Sequence, residues 1–554
     1  MHLPAPAAEE AVAAALAATA ETAPAGPPGT PGARPGLGAA YAAALPGARA
    51  AVLTRLWRAF AFEPLPWITH RERGSGALVL RLASGSRLEG PLPDPYATTF
   101  SAVRTSARPV TELLLDGRPY RRAAPLVAAL GLPYGEGFAA ELDESTASLA
   151  LSRAGQPADP GTGDIQGLAA WEWEQRVVDG HPYHPNCRSR PGFTVSEQLA
   201  YAPEHRPVVT LGLAVVRARE CQVTGEWPDR WREAGRILVP VHPWQAAHVV
   251  KQGQPEGIGH DDGNGQGNGH GDGNGNGHEL RPGPAAHPLM ALRTLSPAGG
   301  GPHVKTALST RLTSSVRDIS VYSIETAAAV SAFAQSLSER LDGRLHITRT
   351  LGAVTAGAPD LAAVLREPPE AYADRGAGER VLPVAALALT PYARSDAWRA
   401  GFARLALSVC LRVLDLGVAL EAHGQNLLVV LSADGAPLRL VYRDLADIRI
   451  SPARLARHGL SAPPLSGRLI TDDVTLLRRK LFGSLVAGAL GSTAGSAAAL
   501  AADLAAAGPG LPSTADTRAL LTQPLPTKAL TLMRLSPGVP GDQWAELDNP
   551  LTPA

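Results

Sequence analysis

The sequence predicts a soluble, multi-domain protein of the α+β class, on three observations. Its 554 residues exceed what one hydrophobic core usually organises. Hydrophobic residues make up 45% and charged residues 18%, enough for ample globular cores. Runs with a two-residue period and runs with a helical period both occur.

Taken in order, residues 1–40 begin as an Ala-rich helical stretch and turn Pro/Gly-rich (GPPGTPGARPG), the composition of a mobile segment. Glu9 and Glu10 precede the apolar run and no basic n-region is present, so a signal peptide is not expected. No stretch approaches 18 uninterrupted apolar residues, so no membrane span is expected either. Residues 41–165 alternate short apolar runs with Gly/Pro turns, including ALVLRLA at 77–83, and read as a supporting domain without a chemical motif. Residues 257–278 alternate Gly with Asn, Asp, Gln and His and are expected to be a disordered surface loop. Within it Asp272, Asn274, Asn276 and Gly277 match half a calcium loop, but Gly283 stands where the bidentate Glu is required. A metal reading of His260, His270 and His278 is set aside with it. Phe402, Ala406, Val409, Val413, Leu416 and Leu420 recur at helical spacing and predict a helix over 397–420. Then come Glu421-Ala-His423-Gly-Gln425-Asn426, the run LLVVL at 427–431, an Ala-Asp-Gly turn, and a run ending Tyr442-Arg443-Asp444. Two runs around a Gly turn predict a hairpin that brings Asn426 and Asp444 close together. The rest of the C-terminal part reads as mostly helical.

Basic and acidic residues balance at 51 each, so no overall field points to nucleic acid or an anionic membrane. An anion site must come from local clustering. Only four of the basic residues are lysines (Lys251, Lys305, Lys480 and Lys528), which makes each of them more informative than usual. Cys187, Cys221 and Cys410 are odd in number and far apart, which suits a reducing cytoplasm and neither a disulfide framework nor a metal cluster.

The segment Lys305–Arg317 carries the strongest chemical signal. As one strand it would bury Val304, Thr306, Leu308, Thr310 and Leu312 and present Lys305, Ser309, Arg311 and Thr313 on the other face, an anion-binding wall. Ser315 and Asp318 have capping-box spacing, so a helix is expected to start there beside Arg317. The Pro-broken loop Gly180–Phe193 holds His181, His184, Arg188 and Arg190. No third metal-type ligand lies at usual spacing, so the arginines are expected to face a phosphate or carboxylate. Val241-His-Pro-Trp-Gln245 follows an apolar run and reads equally as a structural corner. A polar loop, a hairpin and an Asp is also how protein kinases place magnesium ligands. Here His423-Gly-Gln425 replaces the catalytic Asp, which argues against transfer to a hydroxyl and not against Mg-ATP. No Walker-type Lys loop or dinucleotide Gly fingerprint is present.

In order, these motifs resemble the IucA/IucC family of siderophore synthetases. They are Gly180-His-Pro-Tyr-His-Pro with Ser189-Arg190 and Gly192-Phe193, Tyr201-Ala-Pro-Glu204, Pro240-Val-His-Pro-Trp-Gln245, Arg293-Thr294, Lys305 through Arg317, Arg366-Glu367, Glu421 to Asn426, Arg443-Asp444, and Lys528 with Met533-Arg534. The resemblance implies a cupped-hand architecture: a thumb at 41–165, a strand-rich fingers domain at 166–380 and a mostly helical palm at 381–554. It implies ATP and Mg²⁺ in a cleft, adenylation of a citrate- or succinate-type carboxylate, attack by an amine, hydroxylamine or alcohol, and a homodimer. By resemblance Arg293, Thr294, Lys305, Thr313, Ser314, Arg317, His423, Gln425, Asn426 and Asp444 bind the nucleotide. Glu421, Asn426 and Asp444 hold the metal, and His184, Arg190, Lys305, Arg317 and His423 are catalytic. Arg188 stands where the family commonly has Lys, and Ala291 where some relatives carry Ser. A kinase-like phosphotransferase and a non-catalytic siderophore-binding protein are the competing expectations.

Overall fold

The computed structural model describes residues 7–22, 36–98, 108–156, 167–250, 278–312 and 315–552. The stretch 257–277 and the two expected nucleotide ligands Thr313 and Ser314 lie outside the described residues. Helix accounts for 44% and strand for 23%, the mixed content the sequence predicts.

Near the N-terminus the helices Leu37–Phe62 and Gly135–Ala154 pack together beside a five-stranded antiparallel meander between Ile68 and Tyr120. Their core, around Leu53, Trp57, Phe60 and Leu142, also takes in Leu532 and Leu535 from the far end of the chain. A nine-stranded antiparallel sheet follows, with the strand Val209–Arg217 near one edge and His303–Thr306 near its middle. Its register sets Thr294 opposite Lys305 and His303 opposite Arg366. Directly opposed antiparallel residues share a face, as do residues two apart, so Thr294, Lys305 and Arg366 project from one side.

The predicted 397–420 helix runs from Asp396 to Leu416, with Phe402, Ala406, Val409, Val413 and Leu416 buried. It stops short of Leu420 because Gly417 adopts a φ of 117°, a region closed to most L-residues. The predicted hairpin is present: Leu427–Leu431 pairs antiparallel with Pro437–Tyr442 in a four-stranded sheet, Leu427 opposite Tyr442. The Arg443 N–H donates to the Asn426 carbonyl at 3.0 Å, so the two polar ends do meet.

Two local expectations are corrected. Lys305–Arg317 is not one strand. His303–Thr306 belongs to the large sheet, Ala307 bonds the Ala362 carbonyl, and Leu308–Leu312 folds into a separate hairpin with Ser315–Arg317. Pairing in that hairpin also pre-empts the expected helix start at Ser315. The helix begins at Val321 instead, where Ser320 Oγ accepts from the Ser323 N–H at 3.2 Å.

The chain's two ends are locked by a buried carboxylate. Glu63, just after the Leu37–Phe62 helix, accepts from the backbone N–H groups of Thr531 (3.2 Å) and Leu532 (2.8 Å) at the start of the Leu530–Leu535 helix. Burial pushes its carboxyl up to about 7 from an ordinary 4.5. A carboxyl raised in the folded state stabilises at low pH and loses that contribution as pH climbs from about 4.5 through about 7. Glu63→Gln is therefore expected to gain stability relative to wild type between pH 5 and pH 8, by up to roughly 3 kcal/mol. Thermal melts of both proteins across that range check it.

Candidate functional site

Between the large sheet, the four-stranded sheet and the C-terminal helices lies a cavity of about 1030 Å³. Its walls include His184, Arg190, Arg293, Thr294, Lys305, Arg317, Glu421, His423, Gln425, Asn426 and Asp444, every expected site residue that the structure describes. Segments more than two hundred residues apart thus converge on one space.

Asp444 is the junction of its walls. Its φ of 74° is unusual for a residue other than Gly. Its carboxylate accepts from Lys305 Nζ at 2.8 Å and Arg366 Nη2 at 2.9 Å, joining the hairpin to the large sheet. Those two cations hold Asp444 well below the usual carboxylate range, against the opposing effect of burial. Burial and the neighbouring Arg366 push Lys305 down to about 7, with Asp444 pulling the other way. Arg293 donates to the backbone carbonyls of Arg317 and Asp318 and is lowered to about 10 by burial and the Arg317 charge. Arg317 Nη2 bonds the Leu312 carbonyl at 2.9 Å. Several cations crowd this wall around one carboxylate, a ready receptor for a polyanion.

A second charged group occupies the opposite wall. Glu421 accepts from Lys480 (3.1 Å) and Lys528 (3.0 Å). Asp447 pairs with Lys480 at 2.6 Å, and Asp542 lies 3.3 Å from Lys528. Three of the chain's four lysines therefore serve this cavity. His423 accepts from the Gln425 N–H at 3.2 Å, and the dry wall lowers it against the pull of Glu421. Asn426 Nδ2 bonds the Glu421 carbonyl at 3.2 Å. Glu421, Asn426 and Asp444 offer hard oxygen donors, the type that holds Mg²⁺ once phosphate oxygens complete the shell. Among the described residues no group of three His, Cys, Asp or Glu side chains could hold an ion unaided.

The loop Gly180–Phe193 brings Arg188 and Arg190 to the cavity wall as expected, already engaged with partners. Arg188 is spent on the Val177 and Val178 carbonyls at 2.6–2.9 Å, and Arg190 pairs with the buried Glu204 at 2.7 Å. Turns tie the loop to itself, from the Cys187, Ser189 and Phe193 N–H groups to the His184, Asn186 and Arg190 carbonyls, while its arginines satisfy acceptors outside it. His184 is buried at the cavity wall, and neither ring nitrogen has a hydrogen-bond partner among the described residues. Burial, then the fields of Arg534 and Arg55, lower it to about 3, so it faces the cavity uncharged. Arg311 is exposed and does not line the cavity, although Leu312, Val316 and Arg317 of the same hairpin do. His242-Pro243 proves a corner: His242 Nδ1 accepts from the Trp244 N–H, Trp244 stacks on Phe193, and Gln245 bonds Ser309 at 2.8 Å.

Sequence reasoning left Arg366, Lys480, Asp447 and Asp542 outside the set of site residues. For Lys480 the signal existed in the rarity of lysine. It sits in Arg478-Arg479-Lys480 at the end of a helix, which reads as a solvated basic end but is buried.

A sequence profile of the IucA / IucC family matches residues 169–262 and 273–389. A second, described as "Ferric iron reductase FhuF-like transporter", matches 396–541. The latter segment holds one cysteine, Cys410, buried with its thiol pushed up to about 12, so it lacks the thiolate set of an iron–sulfur centre. Among curated proteins, the citryl-spermidine/3,4-dihydroxybenzoyl-citryl-spermidine:spermidine ligase of Bacillus anthracis is 24% identical over 329 residues, 50% of this chain and 51% of that protein. A 2-[(L-alanin-3-ylcarbamoyl)methyl]-3-(2-aminoethylcarbamoyl)-2-hydroxypropanoate synthase of Staphylococcus aureus is 24% identical over 360 residues, 55% of each. The chain thus spans about half the length of the curated relatives it matches. In solved structures, the petrobactin biosynthesis protein AsbB of Bacillus anthracis str. Sterne superposes with a TM-score of 0.70 at 16% identity, covering 92% of this chain and 96% of that one. ATP-bound aerobactin synthetase IucA of Klebsiella pneumoniae gives 0.64 at 18%, covering 91% and 99%. These likenesses establish the fold.

The depressed Lys305 sets a pH test. Only its protonated form attracts an anion, so affinity for a polyphosphate is expected to hold steady below pH 7 and to fall as pH rises above it, by up to about tenfold per unit. Lys305→Arg should flatten that fall. Titration calorimetry with inorganic pyrophosphate between pH 6 and 9 measures both.

Proposed function

We propose that this chain, whose residues 169–262 and 273–389 match the IucA/IucC family model, is an ATP-dependent siderophore-biosynthesis ligase that joins a carboxylate to an amine or hydroxylamine through an acyl-adenylate. The observation that carries this reading is the meeting of Lys305, Arg293 and Arg317 with Glu421, Asn426 and Asp444 around one cavity. Adenylation brings two anions together, a carboxylate and a triphosphate, and needs cations to offset their repulsion. The ligase and synthase activities for which the two curated relatives are named, and the ATP in the IucA structure, favour the same chemistry. A cupped hand of thumb, fingers and palm, with the cleft between the last two, is the matching architecture.

In this reading a carboxylate oxygen of a citrate- or succinate-type acid attacks the α-phosphorus, the bond to the β-phosphate oxygen breaks, and pyrophosphate leaves. Lys305, Arg293 and Arg317 hold the phosphates, which requires Lys305 and Arg366 to release Asp444. Mg²⁺, held by Glu421, Asn426 and Asp444, would neutralise charge on the departing pyrophosphate. An amine lone pair then attacks the acyl carbon, AMP departs, and the nitrogen loses its proton. His423, in contact with the cavity and lowered from its ordinary value, is suited to accept that proton near neutral pH. Arg190 keeps Glu204 as its counter-ion and steadies the loop that carries His184. The three free cysteines fit a reducing cytoplasm.

The test gives purified protein ATP, Mg²⁺, a panel of citrate- and succinate-derived acids and a polyamine or hydroxylamine. Acid-dependent AMP, pyrophosphate and an amide or hydroxamate are expected. Arg317→Ala should lower the rate by about 10²–10³, the scale of one lost transition-state donor. ADP in place of AMP would favour a phosphotransferase. Nucleotide-free affinity for a ferric siderophore without turnover would favour a binding protein.

A further inference from the structure

The helix Gly135–Ala154 buries a polar stripe. Glu141, Glu144, Ser145 and Ser152 recur at separations of three, four and seven or eight, which places them along one side of a helix. All of them bond the irregular segment around His184 or the glutamate that pairs with its arginine. Glu141 accepts from Asn186 Nδ2 at 2.6 Å and Glu144 from Ser189 Oγ at 2.8 Å. Ser145 Oγ donates to the Pro185 carbonyl (3.1 Å) and accepts from the Arg188 N–H (3.2 Å). Ser152 Oγ lies 2.6 Å from Glu204, the partner of Arg190. A buried polar face is costly unless it is satisfied, and here its satisfaction is the loop itself.

Glu141 does something its neighbours do not. The same carboxylate takes both donors of Arg534, with Nε at 2.9 Å. Arg534 lies on the helix Leu530–Leu535, whose Leu530 and Met533 line the cavity, while Asn186 is two residues from His184. One side chain therefore sets the spacing between two cavity walls. The walls bearing Lys305, Arg317 and Asp444 have contacts of their own: Asp444 accepts from Lys305 and Arg366, and Arg317 donates to the Leu312 carbonyl.

We propose that Glu141 is a positioning residue for the His184 wall, which is left to the acid once the phosphates take the Lys305–Arg317 wall, acting through Asn186 and Arg534 and not on the nucleotide half. The assignment of halves rests on the ligase reading above. The bridge itself rests on geometry. Misplacement of a reacting group by about 1 Å costs on the order of 10²-fold in rate, which bounds the effect.

The experiment compares wild type, Glu141→Gln, which keeps an acceptor for Asn186 but weakens the Arg534 pair, and Glu141→Ala, which loses both. Cys187 adjoins Asn186 in the loop and lines the cavity, so its alkylation by iodoacetamide reports loop position without any substrate. Alkylation of Cys187 is expected to rise at least tenfold in Glu141→Ala, with Cys221 unchanged. In acid-dependent AMP formation, kcat/KM for the acid is expected to drop about 10- to 100-fold in Glu141→Ala and less in Glu141→Gln, while ATP affinity stays within twofold. Unchanged Cys187 alkylation overturns the bridge. Equal losses in acid and ATP parameters overturn the positioning role in favour of general destabilisation, and the milder Gln variant keeps that comparison available if the Ala variant does not fold. If wild type makes no AMP with any acid, the ligase reading fails while the alkylation result still decides the bridge.

Discussion

The carboxylate of Asp444, caught between Lys305 and Arg366, is the contact on which the rest of the site depends. It is the only residue of the hairpin end that reaches both cations of the large sheet in the described hydrogen bonds, and it fixes how far apart the two sheets stand. Charges buried without a partner are very costly. In the absence of ligand the cavity therefore neutralises itself: Asp444 stands in for a phosphate, and Glu421 with Asp447 and Asp542 plays the same part for Lys480 and Lys528. In the proposed reading a polyanion bringing its own cation would have to break these internal pairs and offer the freed groups new partners. Binding then reports the difference between two neutralised states, and a ligand of the wrong charge leaves part of the network unmatched.

What the sequence made legible were the elements whose signal is local. The helix ending at Leu416 follows from periodicity, and the 427–442 hairpin follows from two apolar runs and a Gly turn. Through the hairpin, the meeting of Asn426 with Arg443 was readable too. The 303–317 segment reads as one strand because a two-residue period continues across Ala307 even though hydrogen bonding changes partner there; alternation fixes faces and is blind to which strand is alongside. Arg188 and Arg190 read as ligand donors and do line the cavity, but the acceptors that also hold them, the Val177 and Val178 carbonyls and Glu204, lie ten or more residues away and leave no local signal. Lys480 escaped for the opposite reason, since its local context is that of a solvated helix end and its burial is imposed by partners at Glu421 and Asp447.

The N-terminal region illustrates how an irregular loop can be rigid. Pro182 and Pro185 deny the Gly180–Phe193 segment a helix or a central strand, so its geometry is supplied from outside. Arg55 grips the Pro182 and Asp179 carbonyls at 3.1 Å, Arg58 lies 4.1 Å over the Tyr183 ring, and the polar stripe of the Gly135–Ala154 helix takes the other side. A region whose own sequence carries no chemical motif thus decides where a chemical motif points.

The capping of the Leu530–Leu535 helix by Glu63 has a consequence for synthesis. More than four hundred and sixty residues separate donor from acceptor, and Lys528, which answers Glu421, is translated just before that helix. Growing from its N-terminus at about 5–20 residues per second, the chain carries Glu63 and Glu421 without these counterparts until Lys528, Thr531 and Leu532 have left the ribosome. The wall supplied by Lys528 and the Leu530–Leu535 helix is therefore added late: a nascent chain arrested before residue 528 would hold most of the strands and the residues of the Asp444–Lys305–Arg366 contact, but not that wall.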